Sequence, residues 1–429
     1  MKKLISRLSA LLVTSLAIAS CGSASSTPTT TSKPAQSAST STSLTPTSTT
    51  PPSTTTTLPP LPSTIGAPSD FAPHNFSFVS STMGFMFGSY KEGCPTSTPP
   101  CAGILRTSDA GHSWGLISTH GIYDSAPAFP NTTASGSGVA VSNVSFLTPL
   151  VGYAFDPALA FTIDGGVNFS PLLGSFTTSA TRFLDVEVGG STTYFVAVGL
   201  NFSGVSPNSI VFGSFPNISI ADVNPSIKII SSTPVSSASL QSAVASIRAY
   251  PFAVLTEFGV NNFTTALIGA PGSSNFTAIT QNPCSQIQFS LPFLPPMAIA
   301  DTSPLTIYAL CTSNPGAGSS QKTIFTSSNM GSSWASKGSA PNGGISNGID
   351  AAAPSTVIVS ATSGATFFYT STDGGATFKT AFSGFPGGSG FLYGPYFLSP
   401  SFAAVLSYSQ GSPFSFLVST DGGKSFSPA

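Results

Sequence analysis

Two acids on alternate residues of one apolar run, Asp185 and Glu187 in Phe183-Leu-Asp-Val-Glu-Val188, come nearest to a chemical pair in this sequence. In a strand they share a face with Cα atoms roughly 6.5 Å apart. A glycosidase needs two carboxylates about 5 to 9.5 Å apart across the scissile bond. Arg182 and Arg248 are the cations that could neutralise them. An exposed strand face or a structural ion pair explains the same residues without chemistry. Gly344-Ile-Ser346-Asn-Gly348 has the spelling of a nucleophile elbow, but its flanks read as a loop between strands, where an elbow needs a strand before it and a helix after it. His74, His112 and His120 show no paired spacing, and the cysteine spacings do not suit zinc. No phosphate loop or EF-hand loop occurs, so neither a metal nor a cofactor is expected.

The elements that must position such residues follow from an internal repeat. Five segments share one pattern: Thr107-Ser-Asp109-Ala-Gly111-His-Ser-Trp114, Thr162-Ile-Asp164-Gly-Gly166-Val-Asn-Phe169, Ser327-Ser-Asn329-Met-Gly331-Ser-Ser-Trp334, Ser371-Thr-Asp373-Gly-Gly375-Ala-Thr-Phe378 and Ser419-Thr-Asp421-Gly-Gly423-Lys-Ser-Phe426. An Asp or Asn side chain can accept hydrogen bonds from the amides of its own turn. Glycine two residues later supplies positive φ, and the closing aromatic anchors the returning strand. Each segment is expected to be a tight hairpin turn. Upstream runs such as Gly84-Phe-Met-Phe-Gly88 and Ser355-Thr-Val-Ile-Val-Ser360 are β-branched and aromatic with no helical period.

The pattern resembles the Asp box, or BNR repeat, of β-propellers such as sialidases, xyloglucan-cleaving glycosidases, sortilin-type receptors and photosystem assembly factors. The resemblance implies an all-β propeller over residues 66–429. It also implies that Asp109, Asp164, Asn329, Asp373 and Asp421 are structural, on the blade rim away from the ligand funnel. Successive repeats lie 55, 165, 44 and 48 residues apart. Because 165 is three times 55, two blades without the motif fit in the long gap, and the expected total is seven four-stranded blades of about 52 residues each. Six or eight remain open if residues 178–290 divide differently. Residues near Phe71 to Phe78 are expected to close the ring beside the last blade. Sialidases hold their substrate with three arginines, whereas beyond the leader this chain has only Arg106, Arg182 and Arg248, with Arg106 in the strand entering the first motif. Asp124, Asp156, Asp222, Glu257, Asp301 and Asp350 are scattered singly, and any could line the funnel. Phe385, Phe391, Tyr393 and Tyr396 could offer flat faces to a sugar or a protein, or form the buried start of the last blade.

Residues 1–20 read as a secretory signal: Lys2, Lys3 and Arg7, then an apolar run from Leu8 to Ala19 too short to be a membrane span. Ile18-Ala19-Ser20-Cys21 is similar to a bacterial lipobox, which makes Cys21 the expected acyl anchor to a membrane. After Cys21, residues 22–64 are almost wholly Ser, Thr, Pro and Ala with Lys33 as the only charge, a composition that cannot build a core and suits a disordered tether over 21–65. Without the leader's cations, 10 basic residues face 14 acidic ones, which argues against nucleic acid as a partner. Cys94, Cys101, Cys284 and Cys311 are an even set in an oxidising compartment. Of three pairings, Cys94 with Cys101 and Cys284 with Cys311 close the shorter loops. The expected function is a surface lipoprotein acting as a non-catalytic binding or scaffold module for a protein, glycan or envelope component. The alternative is an extracytoplasmic glycoside hydrolase with acids in the funnel.

Overall fold

The computed structural model describes residues 60–94, 100–125, 138–172, 181–206, 208–219, 225–234, 244–248, 253–260, 263–269, 276–279, 281–286, 297–300, 305–313, 315–387, 391–408 and 413–429. Cys21, the expected signal and the expected tether up to residue 59 lie outside them; residues 60–65, also assigned to the tether, are described, and Ile65 belongs to a strand.

The first sheet holds β1 (Ile65–Gly66), β2 (Ala72–Phe78), β3 (Gly84–Tyr90), β4 (Cys101–Thr107) and β5 (Gly115–Ile117). A parallel ribbon of β6 (Ile122–Asp124) and β7 (Val139–Val141) follows. The second sheet is β8 (Asn143–Phe146), β9 (Gly152–Phe155), β10 (Leu159–Thr162) and β11 (Ser170–Pro171). The third is β12 (Arg182–Gly189), β13 (Thr192–Val198), β14 (Ser209–Pro216) and β15 (Lys228–Pro234). The fourth is β16 (Val244–Arg248), β17 (Ala253–Val260), β18 (Phe263–Gly269) and β19 (Phe276–Ile279). The fifth, β20 (Met297–Ala300), β21 (Thr306–Thr312), β22 (Lys322–Ser327) and β23 (Ala335–Ala340), comes after a 3-10 turn at Pro283–Gln286. Then come β24 (Ile345–Ala353), β25 (Thr356–Ser371) and β26 (Lys379–Gly387), and finally β27 (Phe391–Phe397), β28 (Ala403–Tyr408), β29 (Ser415–Ser419) and β30 (Ser427–Pro428).

Six of these sheets carry the four strands of a complete blade, the first with β1 added outside it. The expectation of seven four-stranded blades is therefore corrected to six. The remaining sheet has three strands in the order β24-β25-β26, with Thr356 to Ser371 running as one 16-residue strand. Dividing repeat intervals by an average blade length assumes that every interval holds four strands. The interval from Asn329 to Asp373 is the shortest, at 44 residues, and it leads into the three-stranded sheet.

The core lies between neighbouring sheets. Phe85 and Phe146 stack at 3.7 Å across the first and second. Tyr153, Phe161, Phe183, Phe195 and Phe215 fill the space between the second and third. Phe76 and Phe78 of the first sheet meet Phe402 and Phe416 of the last, with Phe78 and Phe416 stacked at 5.8 Å. That contact closes the ring. Burying one such side chain contributes about 1.5–3 kcal/mol, so the inter-sheet seams carry much of the stability. Disulfides join Cys94 to Cys101 and Cys284 to Cys311.

Each four-stranded blade is an antiparallel meander, so its turns sort onto two faces. The turn between second and third strands and the connection to the next blade emerge on one face. The turn between first and second strands and the five repeated motif turns emerge on the other.

Candidate functional site

The motif turns are built alike. In the first, Thr107 Oγ1 donates to Asp109 Oδ1 at 2.7 Å and accepts the N–H of Gly111 at 2.9 Å, while the N–H of Ser113 donates to Asp109 Oδ1 at 2.9 Å. The same arrangement recurs at Asp164, Asn329, Asp373 and Asp421. At Asn329 the amide nitrogen donates to Ser333 Oγ at 2.8 Å, taking the place of a carboxylate oxygen that receives a hydroxyl. Two consecutive residues adopt positive φ: Ala110 and Gly111 in the first turn, Met330 and Gly331 in the third. Hydrogen bonds hold Asp373 at about 2, led by those from Thr377 and then Ser371. At Asp109 and Asp421 burial opposes ionisation, but the turn's hydrogen bonds outweigh it and hold both at about 2.

Asp185 sits on β12 immediately after a bulge at Leu184. Its Oδ2 accepts the N–H of Ile247 on the first strand of the next blade at 2.7 Å, and its Oδ1 accepts the N–H of Val186 at 2.9 Å. Asp350 repeats this geometry on β24, receiving Phe397 at 2.7 Å and Ala351 at 2.9 Å. Asn75 on β2 receives Val144 at 3.1 Å. These three side chains fasten one blade's inner strand to the next. Glu187 is exposed. Arg182, expected to neutralise the two acids, binds Asp156 through two hydrogen bonds of 2.6 and 3.1 Å. That bond, ahead of the opposing effect of burial, raises the guanidinium's pKa. The side chain of Arg248 lies outside the described residues, as do Asp222, Asp301 and the side chain of Glu257. Ser346 lies in β24 with its hydroxyl 2.6 Å from that of Thr312, and the strand runs on to Ala353.

The structure assembles another group that the sequence kept apart. His74 is the extra residue of a bulge in β2, between Pro73 and Asn75 in the pairing with β3. Bulges re-aim side chains and recur beside functional sites. Its Nε2 stands 2.9 Å from Asp124 Oδ2, with only 12% of the His74 and 2% of the Asp124 side chain exposed. Asp124 arrives on β6, in the connection between the first and second blades. Across the seam, β27 contributes Tyr393 and Tyr396, separated by a bulge at Gly394-Pro395. Burial raises the pKa of Tyr393, and Tyr396, Asp124 and Tyr408 add to the effect. Tyr396 is 40% exposed and packs 5.8 Å from Phe76. His74, Asp124 and Tyr393 belong to the face opposite the motif turns, because β2 and β27 begin there and β6 lies in a blade connection. The cluster offers an imidazole and a phenol beside a buried carboxylate, with an aromatic surface at Tyr396. The side chains of Phe385 and Phe391 lie outside the described residues.

Lys322 is also absent from the sequence reading. It is fully buried at the start of β22, and its Nζ donates to the carbonyls of Ser320, Pro341, Asn342, Gly343 and Gly344 at 2.7 to 3.2 Å. Burial pushes the ammonium down to about 8. The signal was present: a lone lysine heading an apolar strand in a chain with 6% charged residues.

No protein-family model and no curated protein matches this chain. Among solved structures, YCF48 bound to D1 peptide superposes with a TM-score of 0.52 at 13% identity, covering 84% of this chain and 96% of that one. YCF48 from Cyanidioschyzon merolae gives 0.49 at 16% identity over 84% and 98%. The polysaccharide lyase PL25 ulvan lyase, bound to a GlcA-Rha3S saccharide, gives 0.49 at 8% identity over 86% and 95%. With the ring of sheets, the first of these likenesses establishes the architecture: the chain is a β-propeller.

Proposed function

We propose that this propeller is a non-catalytic binding module for an extended protein segment, displayed from a membrane by an acylated Cys21 and the Ser/Thr/Pro-rich tether. The observation that carries the reading is Tyr396, an exposed aromatic at the seam of the first and last blades, backed by Phe76, Tyr393 and the His74–Asp124 pair. An aromatic platform with one polar edge and little net charge suits an uncharged peptide. YCF48, whose structure holds a D1 peptide, supports the reading at the level of fold. We further propose that the five repeated turns are Asp boxes with a structural role. The hydrolase reading is weakened by Asp185, whose two oxygens receive backbone N–H groups.

The test is site-specific photo-crosslinking from position 396 of the full chain in envelope preparations, alongside a Tyr396→Ala variant and a glycan array. The reading expects protein adducts, and binding of the protein so identified should fall at least tenfold in the variant. Saccharide binding that depends on Tyr396 would move the assignment to glycans, and turnover of a polysaccharide would end the non-catalytic reading. Mass spectrometry of the mature N-terminus tests the acyl group on Cys21.

A further inference from the structure

The segment leading into the propeller demonstrates how one groove on the outer rim is filled. Ile65 and Gly66 add β1 to the edge of β5, opposite Leu116 and Gly115. Just before them, Pro62 presses on the second motif turn: a Cβ on Gly165 would stand 2.9 Å from Pro62 Cδ. The groove is thus walled by the outer strand of one blade and by the motif turn and Pro149 of the next.

The fifth blade and its neighbour form the same groove. Trp334-Ala335-Ser336 follows its motif as Trp114-Gly115-Leu116 follows the first. Ala335 pairs with Thr326 on β22 as Gly115 pairs with Arg106 on β4. Gly374 donates its N–H to Ser355 at 2.8 Å, as Gly165 donates to Leu150 at 2.8 Å. Pro354 O faces Gly374 as Pro149 O faces Gly165. Here no β1 counterpart is present among the described residues. β23 is the edge of its sheet, Ala335 and Ser336 are exposed, and a cleft of about 410 Å³ opens between Trp334, Lys337, Tyr308, Pro354 and Gly374. Thr326, paired with Ala335, also lines the cleft. Elsewhere the edge strands β11 and β30 carry Pro171 and Pro428, which withhold an N–H from any added strand.

We infer that this groove receives an extended, proline-bearing, Ser/Thr-rich segment of a partner polypeptide. The segment adds a strand to β23 at Ala335–Ser336 and sets a proline against Gly374, as Leu61-Pro62-Ser63-Thr64-Ile65-Gly66 does on the first blade. Strand addition supplies the affinity through backbone hydrogen bonds, and the pocket beside it reads the side chains. This site is separate from the Tyr396 surface and stands or falls without it.

The experiment titrates the full-length protein with a fluorescent synthetic peptide of residues 58–68, following anisotropy and amide hydrogen exchange. Saturable binding is expected, with new protection at 335–336. Adjacent strand residues direct their N–H groups to opposite sides, so one of Ala335→Pro and Ser336→Pro should weaken binding at least tenfold. Exchange on the unaltered protein keeps the test decisive if a proline variant fails to fold. Absence of saturable binding, equal binding by both variants, or protection confined to 115–117 overturns the inference. So does self-association of the chain that either proline variant abolishes, which would give the groove to a second copy.

Discussion

Asp185 Oδ2 accepts the backbone N–H of Ile247 at 2.7 Å, so a carboxylate on one blade completes the hydrogen bonding of the next blade's inner strand. Asp350 does the same for Phe397 at 2.7 Å. The ring is thereby tied at points that sequence spacing presents as candidate chemistry. A hydrogen bond to a charged group is worth about 1.5–3 kcal/mol. Asp185→Ala and Asp350→Ala should each lower the stability of the protein by about that amount, read as a shift of the urea midpoint. A midpoint unchanged in both variants would remove the clamp from the account.

The buried Lys322 ammonium answers five carbonyls with three N–H groups. Lys322→Met keeps the length of the side chain and removes all its donors, while Asn342 and Gly344 keep the Ser320 N–H and Gly343 keeps the Tyr369 hydroxyl. A loss of about 3 kcal/mol is expected, measurable by denaturant unfolding, with amide exchange quickening first around residues 342–344.

The motif carboxylates set an acid limit. Asp109, Asp373 and Asp421 sit at about 2 when folded, below the value near 3.9 of an unfolded aspartate. Their contribution is complete above that unfolded value and is lost as pH falls from about 4 towards 2. Thermal unfolding followed from pH 7 to pH 2 should show this part of the stability held to about pH 4 and then falling. Asp373→Asn should flatten that fall, as an amide does not titrate.

The two disulfides close loops of unequal length, with sequence separations of 7 and 27. Loop entropy assigns about 2.4 kcal/mol to the first and about 3.5 kcal/mol to the second. Serine substitution of Cys284 and Cys311 together should lower the melting temperature more than substitution of Cys94 and Cys101. Calorimetry of the two double variants checks the order.

Local chemistry was legible in the chain. A hydroxyl, an acid or amide two residues on, and a glycine two further on make a hydrogen-bonded turn wherever they occur, because every partner lies within a few residues. The repeat of that turn announced strands and sheets, and the short cysteine separations announced the disulfide pairs. The blade count read from the intervals was one too many, because interval length does not say how many strands an interval holds.

What only the tertiary structure decided are the relationships that cross between blades. Asp185 and Glu187 look like a pair in one dimension, yet Asp185 faces a strand 62 residues away. His74, Asp124 and Tyr393 are far apart in the chain and meet because the first and last blades close the ring and a one-residue bulge turns the imidazole towards β6. The sequence by itself determined the turns and strands through contacts of short range. The clamps, the aromatic seam and the open groove beside β23 were decided by ring closure, which brings distant strands together to bury the faces that no single blade can cover.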